Sequence, residues 1–370
     1  MSDVEIGRSK RARAAYSFDD VSLVPSRRTR DDALVSLDWK IDAYSFNHPI
    51  IAAPMDSVVS PSSAKTFAAA GGLAILNLEG VWTRYEDPTG VLNDIAALDS
   101  KGATAKLQEI YAKPIQPELI AARIQEMRAS GITVAGALSP QRTAQFAKQV
   151  VDAGVDIFVI RGTTVSAEHV SNGGEALNLK EFIYQLDVPV IVGGCATYTA
   201  ALHLMRTGAA GVLVGFGCGA AHTTLDVLGV RVPMASAVAD VAAARRDYLD
   251  ESGGRYVSVI ADGSMGRSGD VSKAIALGAD AVVVGSTFAR ATDAPGRGKH
   301  WGIEATHLEL PRGELVDLGT TGTLSEIISG PSHTADGTMN MVGALRRAMA
   351  TCGYSDLKEF QRCEVVVTPN

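Results

Sequence analysis

The sequence has few cysteines, few aromatic residues and no long apolar run. Four cysteines occur in 370 residues (Cys195, Cys218, Cys352 and Cys363). That is too few for a disulfide framework, so we expect a reducing, cytoplasmic location. No segment approaches the roughly 18 apolar residues that a bilayer-spanning helix needs, and the N-terminus lacks the apolar core of a secretory signal. These absences argue against a membrane partner.

Basic residues are also in the minority, since the net charge is −7. A nucleic-acid-binding surface is therefore not expected from the overall charge. The basic residues near the N-terminus are expected to form a solvated arm, with contact to a nucleic acid or to a partner as the alternative. They are Arg8, Lys10, Arg11, Arg13, Arg27, Arg28 and Arg30.

Eight short apolar or β-branched segments recur along the chain, and helical patterns lie between most of them. Continuous apolar runs of this kind are typical of buried parallel strands. The eight segments are Pro49–Ala53, Leu73–Leu76, Thr133–Leu138, Asp156–Ile160, Pro189–Val192, Gly211–Val214, Tyr256–Ala261 and Ala281–Val284. The helical patterns include Pro117–Ser130, Arg142–Ala153, Leu179–Gln185, Thr199–Thr207, Ala235–Leu249 and Val271–Leu277.

A glycine stands where a helix should end before four of these strands: Gly131, Gly154, Gly208 and Gly278. Such a position favours the left-handed backbone conformation, and the short αβ turns indicate a parallel sheet. We predict that residues 1–370 form a single (β/α)8 TIM barrel. Residues 1–30 would be an N-terminal arm and residues 287–370 a C-terminal loop and helix extension. An open doubly wound sheet is the alternative.

The loops after the predicted strands carry the residues best suited to chemistry, as expected for this fold. The loop after the sixth strand has glycines at 215, 217 and 219, which would let its backbone approach a ligand closely. The loops after the seventh and eighth strands, 262–264 and 285–287, offer backbone N–H groups to a phosphate. Asp262 suits the two hydroxyls of a ribose. The alternative is tight strand-to-helix packing, with Asp262 as a helix cap.

Several stretches resemble the IMP dehydrogenase/GMP reductase family, and the resemblance covers nearly the whole chain. They are the N-terminal Ser17–Pro25, the first-strand segment Pro49–Val59, the loops Val259–Gly263 and Val284–Ser286, and the segment Val214–Thr224 at the place of the catalytic loop. The branch related to IMP dehydrogenase is the best match. The regulatory module of many members is missing, because only residues 80–115 occupy its place.

The resemblance implies an NAD-dependent oxidoreductase that converts IMP to XMP in guanine nucleotide biosynthesis, usually as a homotetramer. A purine 5′-monophosphate (IMP, XMP or GMP) would lie between the loops after strands six, seven and eight. Its binding residues would be Ala53, Met55, Gly217, Gly219, Ala220, Asp262, Gly263, Ser264, Gly285 and Ser286. NAD would contact Arg161, Gly162 and Thr163. Thr224 matches a threonine close to the reacting carbon.

The chain departs from the family pattern at four places. His222 stands at the nucleophilic cysteine, and an imidazole is a poor substitute for a thiolate that must attack and then leave. Ala220 stands at a phosphate-binding serine, and Arg161 stands at an aspartate that holds the nicotinamide ribose. Residues 323–329 leave no room for the mobile flap that activates water. The alternative function is therefore a catalytically inactive purine-nucleotide-binding protein, a sensor or assembly partner. A flavin mononucleotide barrel enzyme is a third hypothesis.

The catalytic loop leaves several interpretations open. His222 is either a donor to the ligand or a structural histidine. Cys218 could replace the missing nucleophile if His222 lowered its pKa. Cys195 is expected to be a small buried residue. The two cysteines and His222 could instead hold zinc with an open position, but no metal is the favoured expectation.

Glu79 and the remaining histidines show no partner pattern. The histidines are expected on the surface, at His48, His169, His203, His300, His307 and His333. Glu79 is expected to be a surface acid, with a contact to the edge of a base as the alternative.

Overall fold

Eight parallel strands close into a barrel in the order in which they follow along the chain. The computed structural model describes residues 3–170 and 177–368. The barrel strands are Ile50–Ala52, Leu73–Asn77, Ala135–Leu138, Ile157–Arg161, Val190–Cys195, Gly211–Val214, Ser258–Asp262 and Ala281–Val284. The eighth strand pairs with the first, with Val282 opposite Ile50. All eight predicted strands are present, so the (β/α)8 barrel is confirmed and the open sheet is excluded.

Helices surround the barrel. They are Pro61–Ala69, Thr89–Ala96, Ala103–Tyr111, Pro117–Arg128, Pro140–Asp152, Leu179–Tyr184, Tyr198–Met205, Thr224–Leu228, Met234–Glu251, Ser268–Ala276, Ser286–Ala289, Leu324–Ser329, Met341–Cys352 and Leu357–Phe360. The four glycines predicted to end helices have φ angles of 71°, 90°, 97° and 115°, which residues with a Cβ rarely adopt. No helix in the described part of the chain is long and apolar enough to cross a membrane.

The barrel interior is apolar, and a hairpin lies at the amino-terminal ends of its strands. Ile51, Val192 and Val282 are fully buried, as expected for strands covered on both faces. The hairpin of Trp39–Ile41 and Tyr44–Phe46 stacks its Trp39 and Phe46 rings at a centroid distance of 5.3 Å. Ile41 of this hairpin packs against the start of the sixth strand, where a Cβ at Gly211 would lie 3.3 Å from Ile41 Cδ1.

Short strands join the two ends of the chain to each other and to the barrel. Asp3–Gly7 and Lys10–Arg13 form an antiparallel hairpin whose basic side chains are exposed, and Arg13 pairs with Asp240 at 2.5 Å. The other short strands are Val21–Leu23, which pairs with Val365–Val367, and Lys299–His300, which pairs with Val316–Asp317. These pairings bring the C-terminal segment back to the N-terminal segment beside the barrel.

Two helices inserted after the second strand pack on the segment that follows the eighth strand. Thr89–Ala96 and Ala103–Tyr111 share an apolar cluster with Trp301, Ala305 and Leu315. The Tyr111 hydroxyl donates to Asp56 Oδ2 at 2.5 Å and accepts from Trp301 Nε1 at 2.8 Å. This buried network connects the loop after the first strand to residues 299–306.

Two of the histidines expected on the surface are buried, so that expectation was wrong for His48 and His300, each 2% exposed. His48 accepts a hydrogen bond from the Ile50 amide at 3.3 Å, and His300 Nδ1 lies 2.9 Å from Ser57 Oγ. His48 lies in the loop just before the first barrel strand, and His300 lies in the short strand Lys299–His300. A single sequence does not show that their neighbours enclose them.

Acid is expected to destabilise the fold through His48. Burial lowers the pKa of His48 from 6.5 to about 4. Between these pH values the unfolded chain binds more protons than the folded one. The free energy of unfolding is therefore highest above about pH 6.5 and decreases as the pH falls. The total decrease due to His48 is about 3 kcal/mol. Denaturant unfolding of wild type and His48→Gln at pH 7 and pH 4.5 measures it.

In that experiment the His48→Gln variant should lose less stability on acidification than wild type. His203→Gln is the matched control, because His203 is 40% exposed at its side chain. An unchanged pH dependence in His48→Gln would contradict the assignment. Part of the pH dependence of stability should remain in His48→Gln, because burial also lowers the pKa of His300, to about 3.

Candidate functional site at the carboxyl ends of the strands

A cleft of about 290 Å³ lies at the carboxyl ends of the barrel strands. Every predicted site residue lines it except Thr224. The predicted residues that line it are Ala53, Met55, Arg161, Gly162, Thr163, Gly217, Cys218, Gly219, Ala220, His222, Asp262, Gly263, Ser264, Gly285 and Ser286. They come from loops after five different strands, which the closed barrel brings together.

The loop after the sixth strand is fixed by close backbone contacts. Gly215 has φ +114°, and a Cβ there would lie 2.6 Å from the Asp262 carbonyl oxygen. The Gly215 amide donates to the Cys195 carbonyl at 2.6 Å. The Cys218 carbonyl accepts from both the amide and the hydroxyl of Ser264, each at 2.9 Å. The amide and the hydroxyl of Ser264, a residue predicted to bind the nucleotide, are therefore both used between two loops.

Two arginines that the sequence analysis missed line the same cleft: Arg231, on the loop after the sixth strand, and Arg267, after the seventh. Arg231 lies close enough to Cys218 to act on the pKa of its thiol. Guanidinium groups recognise phosphate strongly. They supply positive charge to the cleft that Ala220 also lines.

Asp262 and Arg161 form an ion pair at the bottom of the cleft. Arg161 Nε donates to Asp262 Oδ2 at 2.9 Å, and the side chains are 17% and 12% exposed. Burial alone would lower the pKa of Arg161, but the Asp262 and Glu304 carboxylates raise it above its ordinary value. Arg161, which was predicted to contact the cofactor, and Asp262, which was predicted to contact the ribose, thus contact each other. The ion pair uses Oδ2 of Asp262 and not Oδ1.

His222 and Glu304 lie at the other side of this ion pair. His222 packs over Gly219, where a Cβ would lie 3.0 Å from His222 Cδ2. Its buried Nδ1 has no hydrogen-bond partner among residues 3–170 and 177–368. Burial raises the pKa of Glu304, but the neighbouring His222 and Arg161 hold that pKa below its ordinary value. The sequence analysis missed Glu304, which no motif distinguishes.

Cys218 and Cys195 do not provide the low-pKa thiol considered above. Burial raises the pKa of the Cys218 thiol, which donates to the Phe216 carbonyl at 3.1 Å. Cys195 is 1% exposed and donates to the Leu213 carbonyl in the barrel wall. A shared zinc site is not formed, because Cys195 does not line the cleft that holds Cys218 and His222.

Thr224, predicted close to the reacting carbon, is 1% exposed at the start of the helix Thr224–Leu228. Its side chain lies beneath Gly217, where a Cβ would be 2.7 Å from Thr224 Cβ. Its hydroxyl has no hydrogen-bond partner in the described part of the chain. In this conformation of the loop, Thr224 supports the glycine backbone and does not line the cleft.

A second cleft, of about 910 Å³, continues from the first and shares Arg161, Gly162, Thr163 and Glu304 with it. Glu79 lies there and is 7% exposed, with its carboxylate accepting from the Ser139 amide. The expectation of a surface acid was wrong, because the carboxylate is directed onto the backbone that follows the third strand. Arginines and histidines contribute further to the cleft: Arg84, Arg142, Arg312, His169 and His307.

The fold and the cleft define a (β/α)8-barrel protein with its site on the loops after the strands. The model of the IMP dehydrogenase/GMP reductase domain matches residues 15–314. The chain belongs to the IMP dehydrogenase/GMP reductase family, without the regulatory module, and is an oxidoreductase of that family.

Relatives and a solved structure agree with this assignment. An uncharacterized oxidoreductase of Mycolicibacterium smegmatis is 49% identical, covering 98% of this chain and 99% of the relative. The inosine-5′-monophosphate dehydrogenase of Methanocaldococcus jannaschii is 27% identical, with 97% and 94% covered. The crystal structure of an IMP dehydrogenase/GMP reductase-like protein from Corynebacterium glutamicum has a TM-score of 0.94 and 49% identity, with 99% and 98% covered.

Proposed function

We propose that this protein binds a purine 5′-monophosphate in the first cleft and oxidises IMP to XMP with NAD. The observation that carries the proposal is the joining of two clefts at Arg161, Gly162 and Thr163. One cleft has the loops of a nucleotide site, and the other has room and positive charge for a dinucleotide. The two ligands would then meet beside His222.

The residues of the first cleft suit the three parts of a nucleotide. Backbone N–H groups of Gly263 and of the loops at 217–219 and 285–286, with Arg231 and Arg267, would bind the phosphate. Asp262 Oδ1 would accept from the ribose hydroxyls. Met55 would pack against the base, whose C2 edge would face His222 and Glu304.

The second cleft fits a nicotinamide dinucleotide, since Arg142 and Arg312 can neutralise a pyrophosphate. NAD would supply the hydride acceptor for purine C2. His222 would accept the proton of the water whose oxygen is added at that carbon, and Arg161 would keep Asp262 oriented. A cytoplasmic homotetramer stays a prediction, and the exposed apolar side chains of Leu225, Val227, Leu228 and Val230 offer surface for assembly.

A purine-nucleotide-binding protein without turnover is the second candidate, and His222 at the place of the nucleophile favours it. Purified protein with millimolar IMP and NAD, followed by NADH absorbance, distinguishes the two. Binding of IMP without NADH formation would contradict the dehydrogenase proposal. GMP with NADPH is measured alongside, and a yellow preparation would indicate flavin instead.

His222→Cys is expected to create or raise NADH formation from IMP, because a thiolate can add to C2 and later leave. The expected change is from background to a rate measurable by absorbance, with an IMP adduct visible by mass spectrometry. His222→Ser is the matched control, since serine is similar in size to cysteine and its hydroxyl is a much weaker nucleophile than a thiolate. Equal rates in both variants would mean that another part, such as the missing flap, also limits turnover.

A further inference from the structure

Tyr111 lies in the insertion after the second strand and lines the second cleft but not the first. It is the last residue of the helix Ala103–Tyr111 and is 7% exposed. Arg84 Nη1 donates to the Tyr111 carbonyl at 2.8 Å, and Arg84 Nε donates to the Glu79 carbonyl at 2.9 Å. Contacts of the Tyr111 backbone, which do not involve its hydroxyl group, therefore hold this residue at the wall of the second cleft.

The Tyr111 hydroxyl connects two segments that line the first cleft. It donates to Asp56 Oδ2 at 2.5 Å and accepts from Trp301 Nε1 at 2.8 Å. Asp56 follows Met55 in the chain, Trp301 follows His300, and both Met55 and His300 line the first cleft. The hydroxyl therefore fixes the loop after the first strand relative to the segment after the eighth strand.

Asp56 and Trp301 depend on this hydroxyl because each is only 2% exposed. The other donors to the Asp56 carboxylate are the Val81 amide at 2.8 Å and Asn77 Nδ2 at 3.2 Å. Burial raises the pKa of Asp56, and the hydrogen bond from Tyr111 opposes this rise more than any other contact does. Without the hydroxyl, Asp56 Oδ2 and Trp301 Nε1 would each lose a partner in a buried environment, which is unfavourable unless the segments that carry them shift.

Met55 lies between two backbone segments of the first cleft. A Cβ at Gly285 would lie 3.3 Å from Met55 Sδ, and a Cβ at Gly302 would lie 3.5 Å from Met55 Cε. Gly285 belongs to a loop proposed for the phosphate, and Gly302 follows Trp301 in the chain. A shift of the Asp56 loop or of Trp301 would therefore move the side chain that is proposed to pack against the base.

We propose that Tyr111 is a positioning residue for nucleotide binding in the first cleft, although its ring lines only the second. The inference rests on the proposed nucleotide site and deepens it, because it assigns part of the order of that site to the insertion. When the hydroxyl is absent, a nucleotide must restore the arrangement of Met55 and His300 on binding, and this cost weakens its affinity. A dinucleotide in the second cleft would still meet the same aromatic ring.

Calorimetric titration of Tyr111→Phe with IMP and, separately, with NAD tests this assignment. The dissociation constant of IMP should rise about tenfold, as expected when buried groups lose a partner, while that of NAD should change by less than about twofold. A direct contact predicts the reverse, because the ring lines only the cleft proposed for NAD. Weaker NAD binding with unchanged IMP binding would overturn the proposal, and so would unchanged binding of both ligands.

Tyr85→Phe is the matched control. Tyr85 lies in the same insertion and donates its hydroxyl to the Ile110 carbonyl at 2.9 Å, but it lines neither cleft. Its IMP affinity should equal that of wild type. An equal loss of IMP affinity in Tyr85→Phe and Tyr111→Phe would assign the effect to general destabilisation and overturn the positioning role.

Asp56→Asn provides a second test if Tyr111→Phe fails to fold. The amide has the shape of the carboxylate but only one acceptor oxygen, so this variant should also bind IMP more weakly and NAD with unchanged affinity. Unchanged IMP affinity in Asp56→Asn would overturn the proposal. These results concern only the positioning role, whereas absence of IMP binding by wild type would refute the proposed function.

Discussion

Replacing Asp280 by asparagine is expected to lower the free energy of unfolding by about 3–5 kcal/mol. Asp280 lies just before the eighth strand, at the end of the barrel opposite the cleft. It is 3% exposed, and its Oδ2 pairs with Arg245 Nη1 at 2.6 Å. The amide cannot neutralise this guanidinium, whose side chain is only 9% exposed. A buried charge without its partner is strongly destabilising.

Further contacts of Asp280 join distant parts of the chain. The Tyr256 hydroxyl donates to Oδ1 at 2.6 Å, and Lys358 also pairs with Oδ1. The Val259 amide donates to Oδ2 at 2.8 Å. Burial raises the pKa of Asp280, but Arg245 and Lys358 hold it below its ordinary value. The carboxylate therefore fixes the C-terminal helix against the barrel.

Denaturant unfolding measures this effect, and Asp32→Asn is the matched control. Asp32 pairs with Arg347 at 3.1 Å, but the side chains are 41% and 72% exposed. Exposed pairs contribute about 0–1 kcal/mol. If Asp280→Asn lowers the free energy of unfolding no more than Asp32→Asn does, the structural role of Asp280 is refuted. Nucleotide affinity of the folded Asp280→Asn protein should be unchanged, because the site lies at the other end.

Asp262→Ala is expected to abolish measurable nucleotide binding, with a loss of at least about hundredfold. The variant removes the acceptor proposed for the ribose hydroxyls. It also leaves Arg161 without the carboxylate that fixes its Nε at 2.9 Å. Calorimetry with IMP and GMP measures the loss, and unchanged affinity would refute the ribose assignment.

A deoxyribonucleotide ligand distinguishes the two roles of Asp262, namely the proposed acceptor for the ribose hydroxyls and the ion-pair partner of Arg161. Wild type should bind 2′-deoxy-GMP more weakly than GMP, whereas any residual binding by Asp262→Asn should discriminate less between them. Asp226→Ala is the control, since Asp226 is an exposed acid on the loop after the sixth strand. Equal discrimination in wild type and Asp262→Asn would place the ribose elsewhere.

Local patterns predicted the barrel well, because each strand is a short apolar run and a glycine ends the helix before four of the strands. The positions of the site loops followed from the same patterns, since every barrel brings the carboxyl ends of its strands together. The burial of single polar residues could not be predicted from these patterns. His48, Glu79 and His300 have ordinary local sequence, and segments far along the chain bury them.

The sequence by itself determined the fold and the family, and it located the loops that are proposed to hold a nucleotide. Only the tertiary structure decided how these loops combine. It paired Arg161 with Asp262, buried the Cys218 thiol, and placed Glu304, Arg231 and Arg267 at the cleft. The physical reason is that charge pairing and burial depend on neighbours distant in the chain, whereas strand and turn formation depend on neighbours close by.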